Sequence, residues 1–420
     1  MEDKILMEFF NHDRWVKAID KGVGKDIRKD QLILLCSEDT RIMMADMIRA
    51  GKYEIAPPHT AKIPKDNGDF RTVYVNEPID RVLLSIANDL LFDLMPEMIH
   101  KSCKSYQTGI GCGKVVKEVS AQICKANNEG FLGWKSDLSK YFDSVPLQYV
   151  DQAFDSVEAK HGKSALIDVL RKYYHSNLYF DEEGNLQSQY QSLKQGCAVA
   201  SWLANVLLYH IDEKLSNLDG FYVRYSDDML FIGPDYKKAM EILQEMLGAM
   251  EMRLNPKKVE YLTNDRWFKF LGYSIKGASI SLSSSRIKKF QHEIESRTIK
   301  KRGLSLQKAL NSVNSFLYKG NGEFSWATQI LPVCNVTKDI NELNKFVMDC
   351  LRSVATGKKK LGGLGYIPTQ SEGCISRGLG RNVKMNRSKI PHLDGYMTLG
   401  CMQKALWTSR DVYNTLVMSL

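Results

Sequence analysis

The stretch that decides the fold runs Phe221-Tyr222-Val223-Arg224-Tyr225-Ser226-Asp227-Asp228-Met229-Leu230-Phe231-Ile232. Apolar, β-prone runs flank a short polar centre, the pattern of a β-hairpin with two carboxylates at its tip. An Asp-Asp pair alone reads as an ordinary turn, because Asp is common there. A third acid changes the reading. Phe131 to Leu138 is another largely apolar run, and it places Asp137 at its end, 90 residues before Asp227. Like charges crowded beside a core repel and raise one another's pKa. A divalent cation removes that cost, and carboxylates together with phosphate oxygens are its usual ligands.

The flanking sequence builds a frame around this hairpin. Residues 1–50 read as short helices with a polar break at Lys21–Lys29, and Ala56-Pro57-Pro58 starts an extended segment. Ala61 to Val75 reads as a hairpin turning at Asp66-Asn67-Gly68, with Lys65 and Arg71 on its arms. A helix follows with Ile79, Val82, Leu83, Ile86 and Leu90 on one face and Asp80 and Arg81 in its first turn. Helices are expected over 146–176, a second hairpin over Tyr179–Ser192, one helix over Ala200–Leu215 and another over 236–252. Strands then follow near 258–283. The order β-α-β-β-α-β suits an antiparallel sheet with helices on one face, an α+β arrangement. From 285 to about 356 the pattern is helical.

Composition narrows the function classes. Of 420 residues, 44% are apolar and 25% charged, which excludes a largely disordered chain. No run approaches the ~20 apolar residues of a membrane span. The start, Met1 to Phe10, lacks the basic-then-apolar pattern of a signal peptide. A cytoplasmic protein away from membranes is the expectation. The nine cysteines are odd in number and none form a Cys-x-x-Cys pair, which argues for reduced thiols over zinc or disulfides. Net charge is +9, and much of it is concentrated: Gly357–Lys389 carries eight basic residues against Glu372, and Ser285–Arg302 carries seven against two acids. Such segments suit a polyanion-binding surface or a solvated basic one.

Several boxes, in order, carry a resemblance. Tyr225-Ser226-Asp227-Asp228 resembles the Tyr-x-Asp-Asp box of reverse transcriptases, and Asp137-Leu138-Ser139-Lys140-Tyr141-Phe142-Asp143 is similar to their first catalytic box. Gln195-Gly196, with Ser201 and Leu203-Ala204-Asn205-Val206-Leu207-Leu208, resembles the box between them. Ile63-Pro64-Lys65…Arg71, Asp80-Arg81, Asn255-Pro256-Lys257-Lys258 and Phe270-Leu271-Gly272-Tyr273 fall where the fingers, the next helix, the post-hairpin turn and the primer grip would lie. The resemblance covers about residues 50 to 283 and is nearest to bacterial enzymes of the group II intron and retron lineage. Two departures stand out. Ser105-Tyr106-Gln107-Thr108-Gly109-Ile110-Gly111 replaces a Gly-Phe-Arg-Pro-Gly-Arg-like run, and Cys197-Ala198-Val199-Ala200 follows Gln-Gly in place of Pro-Leu-Ser-Pro. No zinc-ligand or His-Asn nuclease pattern follows the thumb. These features speak for a domesticated enzyme, such as those bacteria use against phage.

The resemblance implies an α+β right-hand polymerase: N-terminal helices and fingers over 1–130, palm over 131–284, helical thumb over 285–356 and a basic segment over 357–420. It implies an RNA-directed DNA polymerase that extends a 3′-hydroxyl with dNTPs, using two Mg²⁺ ions. The template would be a structured RNA, one specific non-coding RNA, and the primer DNA or RNA. Asp137, Asp227 and Asp228 would form the catalytic set at the metals, with Asp137 and Asp227 as direct ligands, the Leu138 carbonyl as a further one, and Asp228 shaping the site or touching the primer end. Lys65 and Arg71 would clamp the triphosphate, and Gln195 and Gly196 would line the pocket. Phe142 would exclude a ribose 2′-hydroxyl or pack as ordinary core. Lys258 would protonate pyrophosphate, with Lys257 its rival. Phe270–Tyr273 would grip the primer, and Lys358, Lys359, Lys360, Arg377 and Arg381 would bind RNA. An RNA-binding scaffold that has lost catalysis and a ribonucleotide polymerase are the rival functions. The intact acids oppose the first and Phe142 the second. The sequence leaves the oligomeric state open.

Overall fold

The computed structural model describes residues 2–65, 69–126, 131–301, 303–317 and 325–356. The predicted turn at 66–68 and the basic segment, with Lys358, Lys359, Lys360, Arg377 and Arg381, lie outside the described residues. In chain order the first elements are α1 (Lys4–Phe9), α2 (His12–Asp20), α3 (Lys29–Cys36), α4 (Glu38–Arg49), β1 (His59–Pro64), β2 (Phe70–Val75), α5 (Pro78–Leu94) and α6 (Cys112–Lys125). The middle of the chain gives β3 (Phe131–Asp137), α7 (Tyr141–Ser144), α8 (Leu147–His161), α9 (Ala165–His175), β4 (Leu178–Phe180) and β5 (Leu186–Ser188). Then come α10 (Val199–Val206), α11 (Tyr209–Ser216), β6 (Phe221–Tyr225), β7 (Asp228–Ile232), α12 (Tyr236–Ala249) and β8 (Glu260–Thr263). The last are β9 (Phe268–Phe270), β10 (Tyr273–Lys276), β11 (Ser279–Leu282), α13 (Ser284–Arg297), α14 (Leu306–Leu317) and α15 (Thr337–Thr356).

The chain divides into two compact units, one of Met1–Ile110 with Gly130–Thr263, the other of Gly111–Glu129 with Asn264–Leu420. At the centre of the first lies a four-stranded sheet in the order β6-β7-β3-β8, antiparallel throughout, with α11 and α12 packed against it. Its strands are apolar because they are covered: Trp134, Met229, Leu230 and Phe231 are fully buried. Each such side chain contributes about 1.5–3 kcal/mol by leaving water. The Trp134 indole N–H donates to the Tyr236 carbonyl at the start of α12, which fixes that helix to β3. Gly133 marks the tightest approach: a Cβ there would stand 1.9 Å from the Phe231 carbonyl oxygen, beside a register shift between Phe131 and Gly133.

The second sheet of this unit runs β2-β1-β4-β5. Its β1–β2 hairpin pairs from His59 opposite Val75 to Pro64 opposite Phe70, and its side chains are mostly exposed. The N-terminal helices bury Phe9, Trp15 and Ile48 in a core continuous with Val82, Leu83, Ile86 and Leu90 of α5. The second unit, by itself, packs α6 against the β11-β10-β9 sheet and joins α13, α14 and α15 around Phe290, whose ring meets Trp326 edge-on at 4.5 Å. Among the described residues no helix is long and apolar enough to cross a membrane.

The helices expected over 146–176 are α8 and α9, separated where Gly162 adopts φ +94. Two expectations need correction. The helix expected over Ala200–Leu215 is two, broken at Leu207–Leu208 for a reason that appears below. Ile79 is 49% exposed and does not share the buried face of α5, because it sits in the first turn, outside the stripe that meets the core.

Candidate active site

β3 and β7 lie side by side with Asp137 directly opposite Asp228, and β6 closes on β7 with Tyr225 opposite Asp228. The two-residue loop between them is Ser226-Asp227. Ser226 sits at φ +58, the sign that a tight primed hairpin turn requires, and it is buried. The three carboxylates predicted from sequence are therefore brought to one end of one sheet. Burial, followed by Asp137, pushes the Asp227 carboxyl above its ordinary range, while Lys258 opposes the shift. Burial, then Asp227 and Asp137, pushes Asp228 up to about 7, against Lys258 and Lys135. Repulsion of this kind is what a bound cation relieves.

Lys258 provides partial relief in the protein alone. Its ammonium donates to Asp137 Oδ2 at 2.5 Å, although the lysine side chain is half exposed. Lys257, the rival in sequence, is exposed and uses its backbone N–H on the Asn255 side chain. Leu138 forms an isolated antiparallel bridge with Leu254, made by the Ser139 amide to the Arg253 carbonyl and by the Asn255 amide to the Asp137 carbonyl. The carbonyl of Leu138 itself takes no part in that bridge.

The donor set fits a hard divalent cation that is completed by substrate. No group of three or more His, Cys, Asp or Glu side chains among the described residues is gathered into a ready-made cage. One or two carboxylates plus phosphate oxygens is the arrangement such ions commonly take.

The Tyr74 amide donates to the Gln195 carbonyl at 2.7 Å, so the Gln195-Gly196 loop is tied to β2. Gly196 has φ +113, and a Cβ on it would stand 2.7 Å from the Tyr74 carbonyl oxygen, so glycine is needed there on both counts. Phe142 packs half-buried at the edge of the core, 5.6 Å from the Tyr141 ring in an edge-on contact. Lys65 and Arg71 are exposed on the β1–β2 hairpin. Burial pushes the Asp143 carboxyl up, while Lys140, Lys65 and Arg71 all pull it down, which puts the two fingers cations in the electrostatic neighbourhood of the first catalytic box.

Phe270, Leu271, Gly272 and Tyr273 belong to the second unit. There Leu271 and Gly272, at φ +48 and +80, make the two-residue turn of the β9–β10 hairpin. The Arg286 guanidinium covers the Tyr273 ring at 4.2 Å and donates to the Leu271 carbonyl at 3.2 Å.

Several residues escaped the sequence reading. Lys194 is fully buried, donates to the Ser176 carbonyl at 2.6 Å and stands over the Tyr173 ring. Burial pushes its ammonium down to about 8. Tyr106 holds a left-handed conformation, φ +55, and brings its hydroxyl to 3.4 Å from Ser226 Oγ. Arg224 and Asp212 are both completely buried and paired. A lone arginine inside an apolar strand was the available signal for the last of these.

The chain is similar to known proteins. The family model described as reverse transcriptase (RNA-dependent DNA polymerase) matches residues 63–275, just over half of the chain. The COX1/OXI3 intron 1 protein of Saccharomyces cerevisiae is 21% identical over 236 residues, covering 55% of this chain and 27% of that protein. The intron 2 protein of the same locus is 25% identical over 172 residues, covering 40% of this chain and 19% of that protein. The matched region is thus about a quarter or less of the length of these curated relatives. Among solved structures, telomerase from Candida albicans in complex with a fragment of telomeric RNA is similar at TM-score 0.42 and 12% identity, over 73% of this chain and 60% of that one. A carboxylate-tipped hairpin facing a strand-terminal Asp, within a match that spans more than half of the residues, makes this chain a member of the reverse transcriptase family with the α+β polymerase fold of that family.

Proposed function

We propose that the protein is an RNA-directed DNA polymerase that adds dNTPs to a primer 3′-hydroxyl on a structured RNA template. The observation that carries the reading is the placement of Asp137 opposite Asp228, with Asp227 in the adjoining turn and both hairpin carboxyls raised by burial and mutual repulsion. Reverse transcriptase domains generally use divalent metal ions, and here two Mg²⁺ are proposed. Asp137, Asp227 and the Leu138 carbonyl would hold them, and Asp228 would shape the site. When bound, such ions supply the positive charge that activates the 3′-hydroxyl and offsets charge on the leaving pyrophosphate.

The chain's own residues do the rest. Lys65 and Arg71 engage the triphosphate through charge-assisted hydrogen bonds. Gln195 and Gly196 line the nucleotide pocket, and Phe142 crowds the position of a 2′-hydroxyl. Lys258 donates a proton to pyrophosphate as a general acid. The Phe270–Tyr273 turn grips the primer. Lys358, Lys359, Lys360, Arg377 and Arg381 add RNA affinity through phosphates. The departures at Ser105–Gly111 and Cys197–Ala200 support a further proposal of a role in bacterial anti-phage defence, and a cytoplasmic location and one specific non-coding RNA as template are proposed with it.

Primer extension on an RNA template tests the reading, run with dNTPs or rNTPs and with Mg²⁺ or EDTA. Extension is expected with dNTPs and Mg²⁺ alone. Extension with rNTPs only would make it a ribonucleotide polymerase. RNA binding without extension would make it a scaffold.

A further inference from the structure

The hairpin that carries Asp227 and Asp228 is anchored from beneath by a side chain that no box of the sequence singled out. Arg224 lies two residues before the turn, is 0% exposed and spends all five guanidinium N–H groups inside the protein. Nε donates to Asp212 Oδ1 at 2.7 Å and Nη2 to Asp212 Oδ2 at 2.5 Å, a bidentate pair between two fully buried side chains. Nη2 also donates to the Asn205 carbonyl at 2.8 Å. Nη1 donates to the Ala204 carbonyl at 3.0 Å and to the Ser226 carbonyl at 3.2 Å.

These partners explain the helix break. Ala204 and Asn205 lie in the last turn of α10, where carbonyls have no intrahelical partner and a cation is favoured. A continuous helix through Leu207–Leu208 would have used those carbonyls itself. The surrounding polar groups are satisfied as well. Tyr222 donates to Asp212 Oδ1 at 3.0 Å, Tyr141 to the Ala204 carbonyl at 3.0 Å, and Asn205 exchanges hydrogen bonds with Ser105 at 2.6 and 2.8 Å. The β6 backbone at Arg224 is held too, accepting from Lys104 and donating to Ser102.

Ser226 is the acceptor that matters for function. Its left-handed backbone, φ +58, is strained in a residue with a side chain. That conformation turns the chain so that Asp227 and Asp228 face Asp137. We propose that Arg224, oriented by Asp212, is a positioning residue that holds the catalytic turn in its metal-binding geometry. This deepens the proposed polymerase function and rests on it. An apolar pair of similar volume can replace a buried ion pair with little loss of stability, but it leaves nothing to hold the Ser226 carbonyl. Lysine, a point charge, lacks the fork that reaches Asp212, α10 and the turn together.

The test compares wild type with Arg224→Met/Asp212→Leu, Arg224→Lys, and Arg224→Lys/Ser226→Gly. Four quantities are read: Tm, hydrogen exchange across residues 224–228, the Mn²⁺ binding midpoint of the protein alone, and kcat with the KM for dNTP. A misplaced reacting geometry costs on the order of 100-fold. The Met/Leu and Lys variants are expected to keep a cooperative melt, exchange faster at the turn, shift the Mn²⁺ midpoint upward about tenfold and lose about 100-fold in kcat with little change in KM. Glycine at 226 removes the left-handed penalty, so it should restore at least part of the kcat lost by Arg224→Lys. Folded variants with wild-type exchange, Mn²⁺ midpoint and kcat would overturn the inference, and so would Arg224→Lys that is impaired but unmoved by Ser226→Gly. If Met/Leu does not fold, the two lysine variants decide alone. Failure of the underlying reading looks different: wild type itself would then neither extend a primer nor bind Mn²⁺ through Asp137 and Asp227.

Discussion

Two hairpins frame the site, and they are built in opposite ways. β6–β7 is buried along both strands, and its turn is tied by Arg224 to α10 and α11. β1–β2 exposes most of its side chains, Ile63 at 49% and Phe70 at 60% among them, and carries Lys65 and Arg71 in solvent. The first holds charges that repel one another and must not move apart. On the proposed reading, the second presents charges to a substrate that arrives from water and brings its own phosphates. Rigidity is spent where like charges must converge, because geometry there sets metal affinity. Exposed cations lose little when unoccupied and gain charge-assisted hydrogen bonds on binding.

The sharpest way to break this contrast is to neutralise the rigid hairpin. Asp227→Asn with Asp228→Asn is expected to reduce extension by about 1,000-fold or more while the fold persists. The sign of the stability effect is fixed by the pKa shifts. The folded-state pKa of Asp228, about 7, lies above that of an ordinary carboxylate. The metal-free folded state therefore holds a proton that the unfolded chain has released, and its stability falls as pH rises from about 4 through about 7. The double variant should flatten that fall and be more stable than wild type at pH 8 without metal, seen as a higher Tm. Added Mg²⁺ should raise Tm only in wild type. Extension by the folded variant would remove the acids from the mechanism.

Next in size is Lys258→Ala, expected to lower kcat about 100-fold as the loss of a general acid, with Lys257→Ala close to wild type. The two should be separated by single-turnover extension, since only Lys258 reaches Asp137. Equal effects would make both lysines part of a diffuse basic surface.

On the exposed hairpin, Arg71→Ala should cost about 10- to 100-fold in kcat/KM for dNTP, most of it in KM, and leave Tm unchanged. A drop in Tm of several degrees would show that the fingers hairpin is structural in the way that the palm hairpin is. Smallest is Phe142→Val, expected to bring kcat/KM for rNTP about tenfold closer to that for dNTP. An unchanged ratio would assign the half-buried ring to the core alone.

How far the sequence could be read follows the same division. Asp137, Asp227 and Asp228 were legible because strand alternation and turn chemistry are local, and their convergence followed from pairing two apolar strands in one sheet. Gln195-Gly196 was legible as a box, although its tie to β2 through Tyr74 was not. Lys258 and Lys257 were indistinguishable by pattern, since both are basic residues in one short turn. The break at Leu207–Leu208 carried no proline, glycine or capping residue, so a run of apolar residues read as one helix. Ile79 fitted the helical period yet fell outside the covered stripe.

By itself the sequence determined the strands and the turn that carry the three acids, and the family to which the chain belongs. These depend on periodicity, turn residues and the order of short boxes. Only the tertiary structure decided that Arg224 is buried and fully paired, that Lys194 lies inside with its charge against a tyrosine ring, and that Lys258 rests on Asp137. Each of those outcomes depends on a partner 12 to 121 residues away. A charged side chain enters a core only when the fold brings it donors and acceptors enough to replace water.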